Sequence, residues 1–171
     1  MNILCIAAHP DDEVLGCGGT VARLVTQGHE VSLAILVKRH LEQISHQVCV
    51  ILGITHLTVH DFPDQRLDAV DFRDLTEWVE GVIADVIPEA IYTHHTGDLN
   101  LDHALTAKAV LTATRPKPGC PVKDVYMFEV PSSTEWGFNY AFKPNVFMDI
   151  TTTLNLKLKA MALYESETCP F

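Results

Sequence analysis

AAHPDDEVLGCGG, residues 7–19, is the stretch on which the fold turns. It places His9, Asp11, Asp12 and Glu13 together, directly after the apolar run Ile3, Leu4, Cys5 and Ile6. An apolar run that stops at a proline-stiffened polar turn and then takes up helical spacing reads as strand, loop and helix. That is the opening of a βαβ unit, and the acidic turn falls where such a strand ends.

The pattern repeats along the chain. Strands are expected at 2–7, 30–36, 56–59 and 90–93, with helices at 14–26 ended by Gly28, at 41–52 ended by Gly53 and at 72–86 before Pro88. A fourth helix spans 103–114 and stops at Pro116; strands follow at 123–129 and 146–150, and a last helix begins near Thr152. Apolar strands alternating with helices predict an α/β fold with a doubly wound, mostly parallel sheet covered on both faces. Right-handed crossovers then bring every strand-to-helix loop to one sheet edge, where ligands bind in such folds.

Composition narrows the function classes. The 171 residues suit one domain with a substantial core, and neither an internal repeat nor a linker interrupts them. A formal net charge of −10 argues against nucleic acid, whose phosphates need a lysine and arginine surface. No run approaches the ~20 apolar residues of a membrane span, and the start lacks a cationic signal-peptide pattern, so a cytoplasmic location is expected. The cysteines at 5, 17, 49, 120 and 169 are odd in number and show no metal-ribbon spacing, which reads as reduced thiols. Cys5 and Cys49 are expected in the core.

His9 and Asp12 lie three residues apart at the turn, where an imidazole nitrogen and a carboxylate oxygen can reach one divalent ion while Asp11 faces the other way. Zinc suits that donor pair, and a catalytic zinc site needs a third protein ligand. The stretch THHTGDLNLDH, residues 93–103, follows the fourth strand on the same edge. Strands one and four can be neighbours in a doubly wound sheet, so a histidine from this stretch can complete a His-Asp-His site. Helix capping by Asp11 and Asp12 is the simpler reading, but it leaves His9 and Pro10 unexplained. Gly16, Gly18 and Gly19 do not form a dinucleotide fingerprint, because no G-x-G-x-x-G follows the first strand.

His9-Pro10-Asp11-Asp12-Glu13 with Gly16 to Gly19, the 61–68 stretch DFPDQRLD, the stretch from Tyr92 to Asp102-His103, PSSTEW at 131–136 and residues 159–167 together resemble the LmbE-like or PIG-L family of zinc-dependent N-acetylglucosaminyl deacetylases. The resemblance implies a single-domain Rossmann-like three-layer α/β/α fold. It implies one Zn2+ held by His9, Asp12 and His103, and Asp11 as general base in removing an acetyl group from an N-acetylated amino sugar. Asp102 would hydrogen-bond a metal-site histidine, or cap the following helix. Arg39 and Asp64 would contact sugar hydroxyls, and Trp136, beside Ser132, Ser133 and Glu135, could stack on a sugar ring.

The chain departs from the family pattern in three places. Asn100 stands where many members carry a histidine that assists the tetrahedral intermediate, so Asn100 becomes a hydrogen-bond donor, any second acid role passes to Asp11, and His95, or His94, is the lesser candidate acid. A loop after residue 37 and a C-terminal segment found in relatives are lacking from 1–171. The competing readings are a metal phosphoesterase, disfavoured by the few basic residues near the motif, and an inactive or non-catalytic ligand-binding relative. Oligomeric state is open, a homo-oligomer included.

Overall fold

The computed structural model describes residues 1–131, 133–138 and 141–165. Five parallel strands, β1 (Asn2–Ala7), β2 (Glu30–Ile35), β3 (His56–Val59), β4 (Ala90–His94) and β5 (Asp124–Phe128), form one sheet in the order β3-β2-β1-β4-β5. The helices are α1 (Asp12–Thr26), α2 (Glu42–Leu52), α3 (Phe72–Val86), α4 (Leu101–Ala113) and α5 (Leu154–Met161). Short 3-10 turns occupy Leu67–Ala69 and Thr134–Trp136. The architecture is the expected α/β one, with an all-parallel sheet.

Both faces of β1 are buried, which is why its sequence is a continuous apolar run. Successive side chains point to opposite faces. Ile3 and Cys5 join a core with Val14, Val21, Val48, Leu52 and Tyr164, whereas Leu4 and Ile6 join one with Leu75, Val79, Ile91 and Val110. Helices α1, α2 and α5 therefore cover one face and α3 and α4 the other. Burying each large aliphatic side chain contributes about 1.5–3 kcal/mol relative to leaving it exposed.

Local signals end the helices as expected. Gly53 closes α2 in the left-handed conformation at φ 77°, a region that costs glycine nothing. The glycines after the acidic motif lie inside α1 and serve packing. A Cβ at Gly16 would collide with the Phe128 ring, and one at Gly19 would sit 2.6 Å from Ile150 Cδ1. Phe128 thus reaches past α1 to the His94 ring, 4.9 Å away centroid to centroid.

Two expectations need correction. Residues 146–150 are not a strand: Phe147 is exposed, while Met148 packs against the α1 core and Ile150 against Gly19. The run has β-forming residues but joins no strand of the sheet among the described residues. Helices α1 and α4 begin two residues earlier than expected, so Asp12 and Asp102 are helical. Cys17, like Cys5 and Cys49, is a buried free thiol; its Sγ lies 3.6 Å from Cys5 Sγ. Cys169, Ser132 and the end of the 159–167 stretch fall outside the described residues.

The chain order reverses between β1 and β4. From β1 the chain turns into α1 on one face, and from β4 into α4 on the other, which opens a crevice at the carboxyl ends of the two strands. The two motifs singled out in the sequence meet there.

Candidate metal centre

The turn from β1 into α1 is strained at one residue. Asp11 has φ 106° and ψ −33°, a conformation that typically costs a non-glycine residue about 1–3 kcal/mol and persists only where its surroundings enforce it. Its carbonyl accepts the N–H groups of Val14 and Leu15 at 3.0 and 2.9 Å, starting the helix. The Asp11 carboxylate makes no capping bond to that helix, contrary to the capping expectation. Asp12 bends back instead, and its Oδ2 accepts the His9 N–H at 2.8 Å.

The β4–α4 loop is built without strain. Asn100, at φ −69°, is the N-cap of α4, its Oδ1 accepting the Asp102 N–H at 3.0 Å. Asp98 Oδ1 accepts the Asn100 N–H at 2.8 Å, which closes the preceding turn. The cap of α4 is therefore Asn100, and Asp102 does not serve that purpose. His103 follows on the first turn, facing the crevice.

His9, Asp12 and His103 come together with all three buried. His9 Nδ1 lies 3.3 Å from Asp12 Oδ2 and 3.3 Å from His103 Nε2, and His103 Nε2 lies 3.2 Å from Asp12 Oδ1. Zinc–nitrogen and zinc–oxygen bonds of about 2.0–2.1 Å in a tetrahedron place neighbouring donor atoms about 3.3–3.4 Å apart. The donor set and its spacing fit zinc.

Each histidine turns its other nitrogen to a carboxylate. His9 Nε2 is 3.1 Å from Asp102 Oδ2, and His103 Nδ1 is 3.3 Å from Asp98 Oδ2. Such partners fix ring orientation and raise ligand basicity. Asp102 is itself held by the Leu67 N–H at 3.0 Å, and Asp98 by the Thr134 hydroxyl at 2.6 Å and the Ser133 hydroxyl at 3.2 Å. Asp98 was not among the candidates read from the sequence, and its position two residues before an N-cap was the available signal.

Burial disfavours the charged forms of both histidines, yet their carboxylate neighbours prevail. Asp102 and Asp12 push the His9 pKa up to about 9, and Asp12 and Asp98 push that of His103 up to about 10. Burial likewise opposes ionisation of Asp12, but His94, His103 and His9 hold its carboxyl well below the usual range. The same balance lowers Asp98 and Asp102, through His103 and Thr134 for one and His9 and Leu67 for the other. The centre is an anionic cradle around imidazoles, electrostatically suited to a dication.

The remaining candidates separate. Asp64 Oδ1 lies 3.5 Å from His9 Nε2, and Asp64 Oδ2 lies 3.5 Å from Arg39 Nε, so this partly exposed pair borders the centre. His94 is fully buried and stacked on His103 at 4.1 Å; its Nε2 accepts the Ala8 N–H at 2.9 Å, and burial lowers its pKa. His94 is a structural prop. His95 is not brought to the centre: its Nδ1 accepts the Gly97 N–H, its ring faces Phe142, and it lines a separate cavity of about 530 Å³ with Tyr92, Tyr126 and Phe128. Trp136 is 53% exposed and therefore not a core residue, while Ser133 Oγ stands 3.4 Å from His103 Nδ1.

Comparison with known proteins places the chain in a family. The uncharacterized deacetylase YaiS of Escherichia coli (strain K12) is 31% identical over 96% of this chain and 91% of its own length. The diacetylchitobiose deacetylase of Thermococcus kodakarensis is 28% identical over 97% of this chain and 70% of its own. In fold, the 4-carboxy-2-hydroxymuconate hydratase GalB of Pseudomonas putida KT2440 superposes with a TM-score of 0.82 at 24% identity, over 97% of this chain and 79% of that one. The family model described as GlcNAc-PI de-N-acetylase matches residues 4–114, a range that includes His9, Asp12 and His103: this chain belongs to the PIG-L family.

Proposed function

We propose that this protein is a zinc-dependent N-deacetylase that hydrolyses the acetamide of an N-acetylglucosamine-type sugar, releasing acetate and the free amine. The observation that carries the reading is the buried His9, Asp12 and His103 cluster, in which His9 Nδ1 and His103 Nε2 stand 3.3 Å apart with Asp12 Oδ2 3.3 Å from the first and Asp12 Oδ1 3.2 Å from the second. Two relatives called deacetylases, one acting on diacetylchitobiose, support the reaction class. The hydratase shares the fold, which hosts more than one chemistry.

His9, Asp12 and His103 would hold the zinc ion, which when bound would supply Lewis-acid polarisation and lower the pKa of a water molecule towards neutral. Asp11 precedes Asp12 in the chain and is not among the three residues grouped to hold the ion. It takes the proton of the attacking water and returns it to the departing nitrogen, so one carboxylate serves as base and then acid. Asp98 and Asp102 hold the two ligand rings in register.

Asn100 keeps one donor-capable end. Its Oδ1 is committed to the α4 cap, so any hydrogen bond to the developing oxyanion comes from Nδ2. Arg39 and Asp64, paired at the rim, are suited to adjacent sugar hydroxyls. His95 has a smaller part in this scheme than the sequence suggested, because its contacts lie with Gly97 and Phe142.

The test is metal analysis of the purified protein combined with acetate release from a panel of N-acetylated sugars that includes N,N'-diacetylchitobiose. One zinc per chain and release of acetate are expected. Zinc without turnover on any member would favour the ligand-binding alternative, and absence of zinc binding would overturn the centre itself.

A further inference from the structure

Among the described residues, five carboxylates are buried: Asp11, Asp12, Glu13, Asp98 and Asp102. The reaction scheme uses four and leaves Glu13, which is 1% exposed. A buried carboxylate is retained only where its oxygens are satisfied, and each Glu13 oxygen has its own partner. Oε2 accepts the Asp11 N–H at 3.0 Å, and Oε1 accepts the Tyr164 hydroxyl at 2.8 Å. Tyr164 is fully buried just beyond α5, and its hydroxyl lies 3.3 Å from Ser45 Oγ of α2.

In a helix-capping box, the cap side chain bonds forward to the helix while a first-turn glutamate reaches back to the N–H of the cap residue. Here Glu13 makes the backward bond to the Asp11 N–H from the second helical position, one earlier than in that box, and the Asp11 side chain makes no cap bond to the helix. The backbone of this acidic N-cap residue is thus held on both sides. Val14 and Leu15 hold its carbonyl side, and Glu13 holds its N–H side.

We propose that Glu13, braced by Tyr164 from the far end of the chain, is a positioning residue for Asp11: it keeps the Asp11 peptide turned at φ 106° and so sets the direction in which that side chain leaves the backbone. The inference rests on Asp11 being the base. It makes the contact of α5 with α1 and α2 part of the active-site scaffold, because Tyr164 joins Glu13 to Ser45.

Four zinc-loaded proteins separate the inference from that reading: wild type, Asp11→Asn, Glu13→Ala and the double variant, assayed for acetate release from N,N'-diacetylchitobiose and for zinc affinity. Asp11→Asn at the wild-type rate would refute the base role itself. Given the expected loss there, Glu13→Ala is expected to lower kcat about 10- to 100-fold, with KM and zinc affinity within about threefold, since small misplacements of a reacting group have effects of that size. In the Asp11→Asn background the same change should cost less than about threefold. An equal loss in both backgrounds, or weakened zinc binding, would overturn positioning in favour of general scaffolding. Glu13→Gln, which keeps an acceptor for the Asp11 N–H, should recover most of the rate; a rate as low as that of Glu13→Ala would also overturn it.

A readout independent of turnover covers a protein that fails to fold or a substrate that is not accepted. In Tyr164→Phe the Asp11 amide should exchange with solvent at least about tenfold faster than in wild type. Unchanged protection would sink the proposal.

Discussion

After β1 the chain enters α1 through Asp11 at φ 106° with no side-chain cap; after β4 it enters α4 through Asn100 at φ −69°, with Oδ1 on the Asp102 N–H. Both loops deliver metal-centre residues into one crevice, yet only the first bends its backbone out of the ordinary regions to do so. The difference follows from what each loop carries. His103 is delivered from the first turn of a normally capped helix, and a rigid helix suffices to aim an imidazole. The first loop places His9, Asp11 and Asp12 within four residues, and the bent backbone lies at Asp11, in the middle of that crowding.

Removing a ligand tests what the loops share. His103→Ala and Asp12→Ala are each expected to abolish stoichiometric zinc and acetate release together, as read by metal analysis of the purified variants. Wild-type zinc content in His103→Ala would break the pairing of the two loops at one ion.

The first loop is singled out by Asp11→Asn. It should keep zinc and lower the rate by about 10² to 10⁴, the usual range for a lost general base. Full activity in that variant would leave the strained backbone without a catalytic purpose.

Asp98→Ala sharpens the comparison on the other side. Loss of the carboxylate behind His103 should weaken zinc affinity about 10- to 100-fold in a chelator competition. Unaltered affinity would mean that helix α4 alone aims the ligand.

The smallest effect is expected at the cap. Asn100→Ala should lower unfolding free energy by about 0.5–2 kcal/mol, measured by denaturant titration, with Asn100→Asp close to wild type. Turnover falling in Asn100→Asp while stability and zinc affinity hold would instead reveal the Nδ2 donor role, since aspartate caps equally well but has no N–H.

Much of this was legible from residue order. The bounds of β1, β3 and α3 were read as observed, because apolar periodicity and the stops at Gly28, Gly53 and Pro88 act within a few residues. The motif and the family resemblance together single out His9, Asp12 and His103, and the structure brings one possible ligand atom of each within 4.8 Å of the others. Residues 146–150 were misread because strand pairing needs an edge that local pattern does not reveal. His95 and His94 could not be told apart in sequence: adjacent residues on β4 and its end face different surroundings, one beneath His103 and one toward Phe142.

Short-range rules therefore account for the strands, the helix ends and the chemical character of the two loops, since hydrophobic period, capping and turn preferences are satisfied by neighbours in the chain. The partners that hold the site in shape are long-range. Asp102 meets His9 across 93 residues, and Tyr164 meets Glu13 across 151. Neither contact leaves a trace in local composition, because a buried hydrogen bond is set by where packed helices bring two side chains together, and that is a property of the folded chain.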